Sequence, residues 1–428
     1  MNVQSIRGVA KAFAAIAVCL LASARSASAA TVEGAPILTE VRPEHADTWS
    51  RACSFRNPLC VRAAPGTPRQ FQLEAIAAAD RAWDAITRVL RMPAPDGALG
   101  DPWDVYLVDG VPGGARVVPD ERDPEARFDR ESTFALVDRG TAVGCYLDFA
   151  LARAIAEGSL RREVPATDLA AARAQSEEVA RLATPCAPEG EDDAAFQAQP
   201  WRCLLDPSSE AFDRGASLFV RWVDSTFGSE LGNVVTGGWA LAPTRTDSRA
   251  WRWAAKPTTF DVLRASLPAA LGSDVTFDDV LLKFALARFA MLPHPALAWS
   301  VPWPILARRI TPAEPIAPTG VSYVRIDHKD VGRDAKLRLE AQWEDYARMR
   351  WVVLKRDAAD RTLAQVTVTS TEHGTAASMT IEQLDGVDHI LVVAQNLGST
   401  EHPFNPDQGE WESHSWLLTL EAQGVLAP

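Results

Sequence analysis

The chain changes its hydrophobic period partway along. Over 69–92, Leu73, Ile76, Ala79, Trp83, Ile86 and Leu90 recur every three or four residues, which predicts an amphipathic helix closed by Pro93 and Pro95. A short apolar run, 104–109, reads as a strand ended by Gly110 and Pro112. A polar loop then leads to a second strand, 132–138. Helices are expected over 145–157, 167–184, 208–227, 231–241, 258–265 and 276–291. The second of these has Thr167 as N-cap and the third has Asp206, Ser208 or Ser209. From about 320 the period becomes two. Runs at 321–326, 337–343, 349–355, 363–368, 378–384, 389–394 and 416–420 read as seven strands with turn signals between them, the pattern of a β-sandwich.

Prolines 293, 295, 302, 304, 312, 315 and 318 crowd the junction and suggest an extended connector. The expected organisation is a leader (1–30), an irregular segment (31–69), an α+β domain with a small sheet (70–292), the connector (293–319) and an all-β domain (320–428). The acidic stretch 188–193 reads as an exposed loop.

Composition narrows the function classes. Hydrophobic residues make up 47% and charged residues 23% of the 428, as in ordinary globular proteins. Arg7 and Lys11 precede an apolar run, 12–22, and small residues around Ala29, the n-, h- and c-regions of a secretory signal peptide. Its three cations have no acidic counterpart, so cleavage takes the formal charge from −13 to −16. That balance argues against nucleic-acid partners and anionic membranes. No other apolar stretch reaches the roughly 20 residues of a membrane span. A periplasmic or extracellular location follows, and there the remaining cysteines, Cys53, Cys60, Cys145, Cys186 and Cys203, default to disulfides. Cys53 and Cys60 are spaced to close a short loop. Cys186 has two candidate partners, Cys145 and Cys203, which leaves one odd thiol.

The order helix, strand, strand, then paired helices 167–184 and 208–227 resembles the catalytic domain of gluzincin-type zinc metallopeptidases. There the first paired helix carries H-E-x-x-H and the second supplies a glutamate. The matching positions here read Ser176-Glu177-Glu178-Val179-Ala180 and Asp213-Arg214-Gly215-Ala216. An alcohol is a poor zinc ligand, a methyl is none, and Arg214 puts a fixed cation where the metal would sit. Glu177 matches the general base but has no metal-bound water to activate. The resemblance therefore implies a degenerate site at Ser176, Glu177, Ala180 and Arg214, with no metal and no other cofactor. If the helices pack as in the family, Glu177 or Glu178 is expected to pair with Arg214.

The implied function is an exported, catalytically inactive peptidase-like protein serving as a binding or scaffolding module, with an extended peptide or a cell-surface component as partner. Two alternatives stand beside it. Some of the 14 tryptophans, Trp343, Trp351, Trp411 and Trp416 among them, fall in the β region and could stack on carbohydrate, although their pattern favours core burial. A hydrolase using Glu177 and Glu178 is disfavoured, because adjacent helical side chains diverge by about 100°. The seven histidines form no metal-ligand pair.

Overall fold

The computed structural model describes residues 42–120, 132–163, 169–185, 191–204, 206, 209–228, 260, 263–264, 267, 275–291, 298–328, 335–369, 374–398 and 412–423. The leader, Cys186, Trp411 and the expected helix at 231–241 lie outside these residues. The protein is mixed α+β, helical towards the N-terminus and sheet-rich towards the C-terminus.

The first sheet contains β1 (Ser50–Cys53), β2 (Leu59–Ala63), β3 (Trp103–Val108), β4 (Ala115–Pro119) and β5 (Thr133–Asp138), in the order β1-β2-β3-β5-β4. β2, β3 and β5 run parallel, while β1 and β4 are antiparallel edges. β3 and β5 correspond to the two strands anticipated from sequence. β1 and β2 fall in the segment read as irregular and β4 in the polar loop, so those three readings are corrected. Each missed strand has only four or five residues and charged or proline neighbours, and sheet pairing rather than local pattern defines it.

Period two sorts β3 cleanly. Trp103, Val105 and Leu107 face a core shared with helices α1 (Arg69–Asp84) and α2 (Cys145–Glu163). Asp104 and Tyr106 face the other way, where Tyr106 packs with Ala46, Val118 and Phe134. Helix α1 continues through a π turn, Ala85–Val89. Its buried face is Phe71, Ala75, Ala78, Ala79, Ala82 and Trp83, whereas Leu73 of the expected stripe is exposed. Alanines let the helix approach the sheet closely, and that rotates the stripe.

Helix α3 (Leu169–Ala183) packs on α2, and α4 (Glu191–Gln197) packs on α5 (Glu210–Gly215). The acidic stretch read as an exposed loop thus includes the start of a helix, with Asp193 buried. The expected second paired helix is two pieces, α5 and α6 (Ser217–Phe227), with the Ser209 hydroxyl accepting the Phe212 N–H at 3.2 Å as N-cap. A Cβ on Gly215 would overlap the Asp192 carbonyl, so only glycine permits α4 and α5 to lie this close. Phe196, Phe212, Phe219 and Trp222 join Phe277 and Phe284 of α7 (Phe277–Met291) in a second core.

All seven sequence-read strands are present in the C-terminal region, together with β6 (Ala298–Pro302) and β7 (Arg308–Ile310) from the proline-rich stretch. One sheet, β11-β10-β13-β8-β6, comprises β8 (Val321–Asp327), β10 (Met349–Arg356), β11 (Thr362–Thr369) and β13 (His389–Asn396) beside β6. The other, β12-β9-β14-β7, adds β9 (Lys336–Trp343), β12 (Ala376–Ile381) and β14 (Trp416–Gln423) to β7. β6 and β7 are end strands, positions where proline costs no ladder bond. Strand β13 is buried along its whole length because both of its faces are covered. Ile390, Val392 and Ala394 meet residues of the second sheet, while Leu391 and Val393 meet Ala285 on α7. Trp343 and Trp351 pack tilted at a centroid distance of 6.2 Å, and Trp351 and Trp416 pack edge-to-face at 5.4 Å, in the shared core.

Cys53 and Cys60 form a disulfide across β1 and β2. Cys145 is also disulfide-bonded. Cys203 is a buried thiol that accepts the Thr319 hydroxyl at 3.6 Å. No described helix is long and apolar enough to cross a membrane.

Candidate functional site

The parallel strands β3 and β5 end beside the Pro112–Gly114 turn and the Gly140–Ala142 segment. There a cavity of about 550 Å³ opens between the sheet and helices α2, α3, α4 and α5. Its lining divides by chemistry. Tyr146, Phe149 and Ala150 of α2 give an apolar wall. Arg153, Arg181 and Arg214 give guanidinium groups, and Glu177, Asp138 and Asp192 give carboxylates.

The helix register decides which α3 residues reach this space. Glu177 and Arg181, four apart, line it. Ser176 and Ala180, the positions matched to the two histidines, are fully buried elsewhere. The Ser176 hydroxyl donates to the Arg173 carbonyl at 3.1 Å, and Ala180 belongs to the first core. One residue of shift is about 100° of rotation, enough to replace one face by the next. Assigning the degenerate-site positions by motif alone thus puts Ser176 and Ala180 in the packing and misses Arg181.

Glu177 lies at the centre of the charges. Arg181 donates to its Oε1 at 3.3 Å, and Arg153 Nη1 lies 3.5 Å from Oε2. Both are longer than the 2.7–2.9 Å of a tight charge-assisted bond. Burial pushes the Glu177 pKa up, against the pull of Arg153, Arg181 and Arg214. The expected direct pair between Arg214 and Glu177 or Glu178 is not among the ion pairs of the described residues, a correction to the sequence reading. Arg214 instead pairs with Glu210, one turn earlier on its own helix, where the partner needs no inter-helix reach.

Arg214 is itself held in an adverse setting. Burial, then the neighbouring Arg153 cation, lower its pKa, against Glu210, Asp192 and Glu177. Its guanidinium lies over Gly113, whose φ is 64° and where a Cβ would overlap it. Arg153 donates to the carbonyls of Gly113 and Ala115, fixing the turn and the start of edge strand β4. Arg181 also lies 5.8 Å from the Phe149 ring centroid. Sequence reasoning had no signal for Arg153, Arg181 or Asp192, because three separate helices bring them together.

Glu178 points away from the cavity. Burial raises its pKa to about 8, with Arg221, Asp224 and Asp193 of neighbouring helices and Arg181 of its own helix setting the remaining field. Asp213, also fully buried, accepts from Arg173 at 2.6 Å, and burial raises its pKa to about 6. Glu177 and Glu178 therefore do not converge on one atom.

The zinc that the resembled peptidases hold does not fit these residues. Among the described residues no group of three His, Cys, Asp or Glu side chains could hold a metal ion. The α3 face turned to the cavity offers one carboxylate and one guanidinium, and α5 offers a second guanidinium. These are cations in a place that would have to receive a dication.

The sequence matches no protein-family profile and no curated protein. Solved structures overlap parts of the chain at low similarity. A periplasmic inhibitor of g-type lysozyme, PliG from Aeromonas hydrophila, is 6% identical over 29% of this chain and 97% of its own, with a TM-score of 0.19. A surface-associated copper-binding protein, CorA, of Methylomicrobium album BG8 is 6% identical over 29% of this chain and 97% of its own, at 0.17. A family 4 carbohydrate-binding module is 17% identical over 27% of this chain and 82% of its own, at 0.16. Overlaps this weak carry neither fold nor function to this chain.

Proposed function

We propose that the protein is an exported, metallopeptidase-like binding module without peptidase activity, whose α+β part receives its ligand in the cavity beside Gly113 and whose C-terminal sheets form a β-sandwich. The observation that carries this reading is the cavity itself. It lies at the carboxyl ends of parallel strands, where open sheets place their ligand crevices, yet it is lined by guanidinium groups on the helices that matched the zinc-binding pair. The Cys53–Cys60 disulfide is in keeping with export. So is the absence of a membrane-spanning helix among the described residues.

The alternative reading, carbohydrate binding by the sheet-rich region, finds less support. Trp343, Trp351 and Trp416 are spent in the core. Trp299, 45% exposed on β6, and Tyr346, 96% exposed between β9 and β10, are the large aromatics exposed in that region among the described residues.

Metal content measured after dialysis of the purified protein against trace zinc, together with cleavage of an unstructured protein substrate, tests the reading. Less than a tenth of an equivalent of zinc, roughly, and no cleavage are expected. About one equivalent with zinc-dependent cleavage would overturn it.

A further inference from the structure

We propose that the cavity is a receptor for an organic monocarboxylate, gripped by Arg181 and Arg214, with the Glu177 carboxylate as its built-in competitor. This rests on the binding-module reading and names the ligand class for the same site.

Three features of the cavity lead there. First, the guanidinium groups are held in place, Arg153 by the Gly113 and Ala115 carbonyls and Arg214 by Glu210, and two of them are only partly satisfied. The side chains of Arg153 and Arg214 are only 8% and 9% exposed, and that of Arg181 15%. The Nε groups of Arg181 and Arg214 have no hydrogen-bond partner. Buried donors left unmatched cost free energy, and both residues line the cavity. Second, the site already holds a carboxylate, and holds it poorly. Glu177 reaches Arg181 and Arg153 only at 3.3 and 3.5 Å, and its Oε2 makes no hydrogen bond. A helix-borne side chain is limited to the reach of its backbone, whereas a free carboxylate is able to seat on a guanidinium fork with both oxygens.

Third, the remaining lining selects the rest of the ligand. Tyr146, Phe149 and Ala150 offer an apolar wall for a carbon skeleton, which an inorganic oxyanion lacks. Asp138 and Asp192 line the same space and oppose a second negative charge. One carboxylate on an apolar body satisfies all three features, either as a small acid or as the carboxy terminus of a peptide. Pairing of an extended peptide along β4 is a weaker use of this region. Pro119 lacks an N–H, and Arg153 already occupies the Ala115 carbonyl.

The charges facing Glu177 are Arg153 from α2, Arg181 from its own helix, Arg214 from α5 and Asp192 from α4. Neutralising Glu177 removes the competitor and leaves the three cations in place.

Titration calorimetry on the full-length mature protein tests the proposal, with N-acetyl-leucine and acetyl-tetra-alanine as probes. Their carboxamides and inorganic phosphate serve as controls. Both acids are expected to bind and both amides to fail. Glu177→Gln should tighten binding roughly tenfold, and Arg214→Gln should abolish it. Arg181→Gln carries the same expectation if Arg214→Gln melts early. Preference for acetyl-tetra-alanine over N-acetyl-leucine assigns the carboxylate to a peptide terminus, and the reverse assigns it to a small acid. No binding of either acid to Glu177→Gln at millimolar concentration would overturn the inference, as would equal binding of the amides. A zinc-free, inert protein with that outcome loses only this proposal, whereas zinc-dependent cleavage removes the reading beneath it.

Discussion

Two buried arginine–carboxylate networks in the N-terminal region differ in how completely they are satisfied. On the face of the first sheet away from α1 and α2, Arg42 pairs with Asp104 and Asp120. Arg62 joins Asp104 at 3.1 Å, and the Tyr106 hydroxyl donates to Asp104 at 3.2 Å. Burial opposes the charge on Arg42, but the hydrogen bond and charge of Asp120 and the neighbouring Tyr106 outweigh it and hold the Arg42 pKa above its usual value. Around the cavity the balance is reversed. Arg214 is pushed below its usual value by burial and by Arg153, and Glu177 is loosely held among three cations. The first network closes on itself and ties residues 42–49 to the sheet. The second leaves buried donors unmatched on residues that line a cavity. Composition alone would class them together. Satisfaction separates a structural cluster from a binding one.

The largest effect that would sharpen this contrast belongs to the closed network. Asp120→Ala removes the fully buried partner of Arg42, and breaking such a pair should cost about 3–5 kcal/mol in urea denaturation. A loss below about 1 kcal/mol, typical of exposed pairs, would place the network among surface ion pairs and erase the distinction.

That contrast was only partly visible in the sequence. Long runs that keep a steady period or are apolar throughout were legible, hence the seven C-terminal strands and α1, α2, α3 and α7. Strands such as β1, β2 and β4 were not, because each has only four or five residues, too few to show a period. The cavity was half legible. Glu177 and Arg214 were picked out by their place in a motif, and both line it. The motif also nominated Ser176 and Ala180, which the helix turns into the core. Arg153, Arg181 and Asp192 carry no local signal. An acid-rich stretch reads the same whether solvated or folded into α4, so Asp193 was placed outside although it accepts from Arg221 at 2.7 Å.

A second prediction concerns pH. The folded protein keeps a proton on Glu178 up to about 8, whereas the unfolded chain releases it near 4.5. Across that window the native state binds more protons, so stability declines as pH rises, by at most about 1.4 kcal/mol per pH unit. Asp213, raised to about 6, adds a decline of the same sign at the lower end. Urea midpoints measured from pH 5 to pH 8 (roughly this window) should fall steadily, and Glu178→Gln should flatten the trend. A midpoint that rises with pH would contradict the assignment of these groups as buried and under-paired.

The smallest expected change belongs to the open network. Glu177→Gln removes a buried charge with loose contacts and should alter stability by less than about 1 kcal/mol, in either direction. A loss as large as that of Asp120→Ala would show that Glu177 is as tightly integrated as the sheet network and unavailable for displacement.

The most direct test compares the two networks in one experiment. In the deuterated protein, the 15Nε–Hε resonances of Arg181 and Arg214 can be followed beside those of Arg42 and Arg62 while N-acetyl-leucine or acetyl-tetra-alanine is added. The account predicts saturable shifts at Arg181 and Arg214, whose Nε groups lack partners, with Arg42 and Arg62 unmoved. Shifts of equal size at all four, or none at Arg181 and Arg214 under saturating acid, would contradict it.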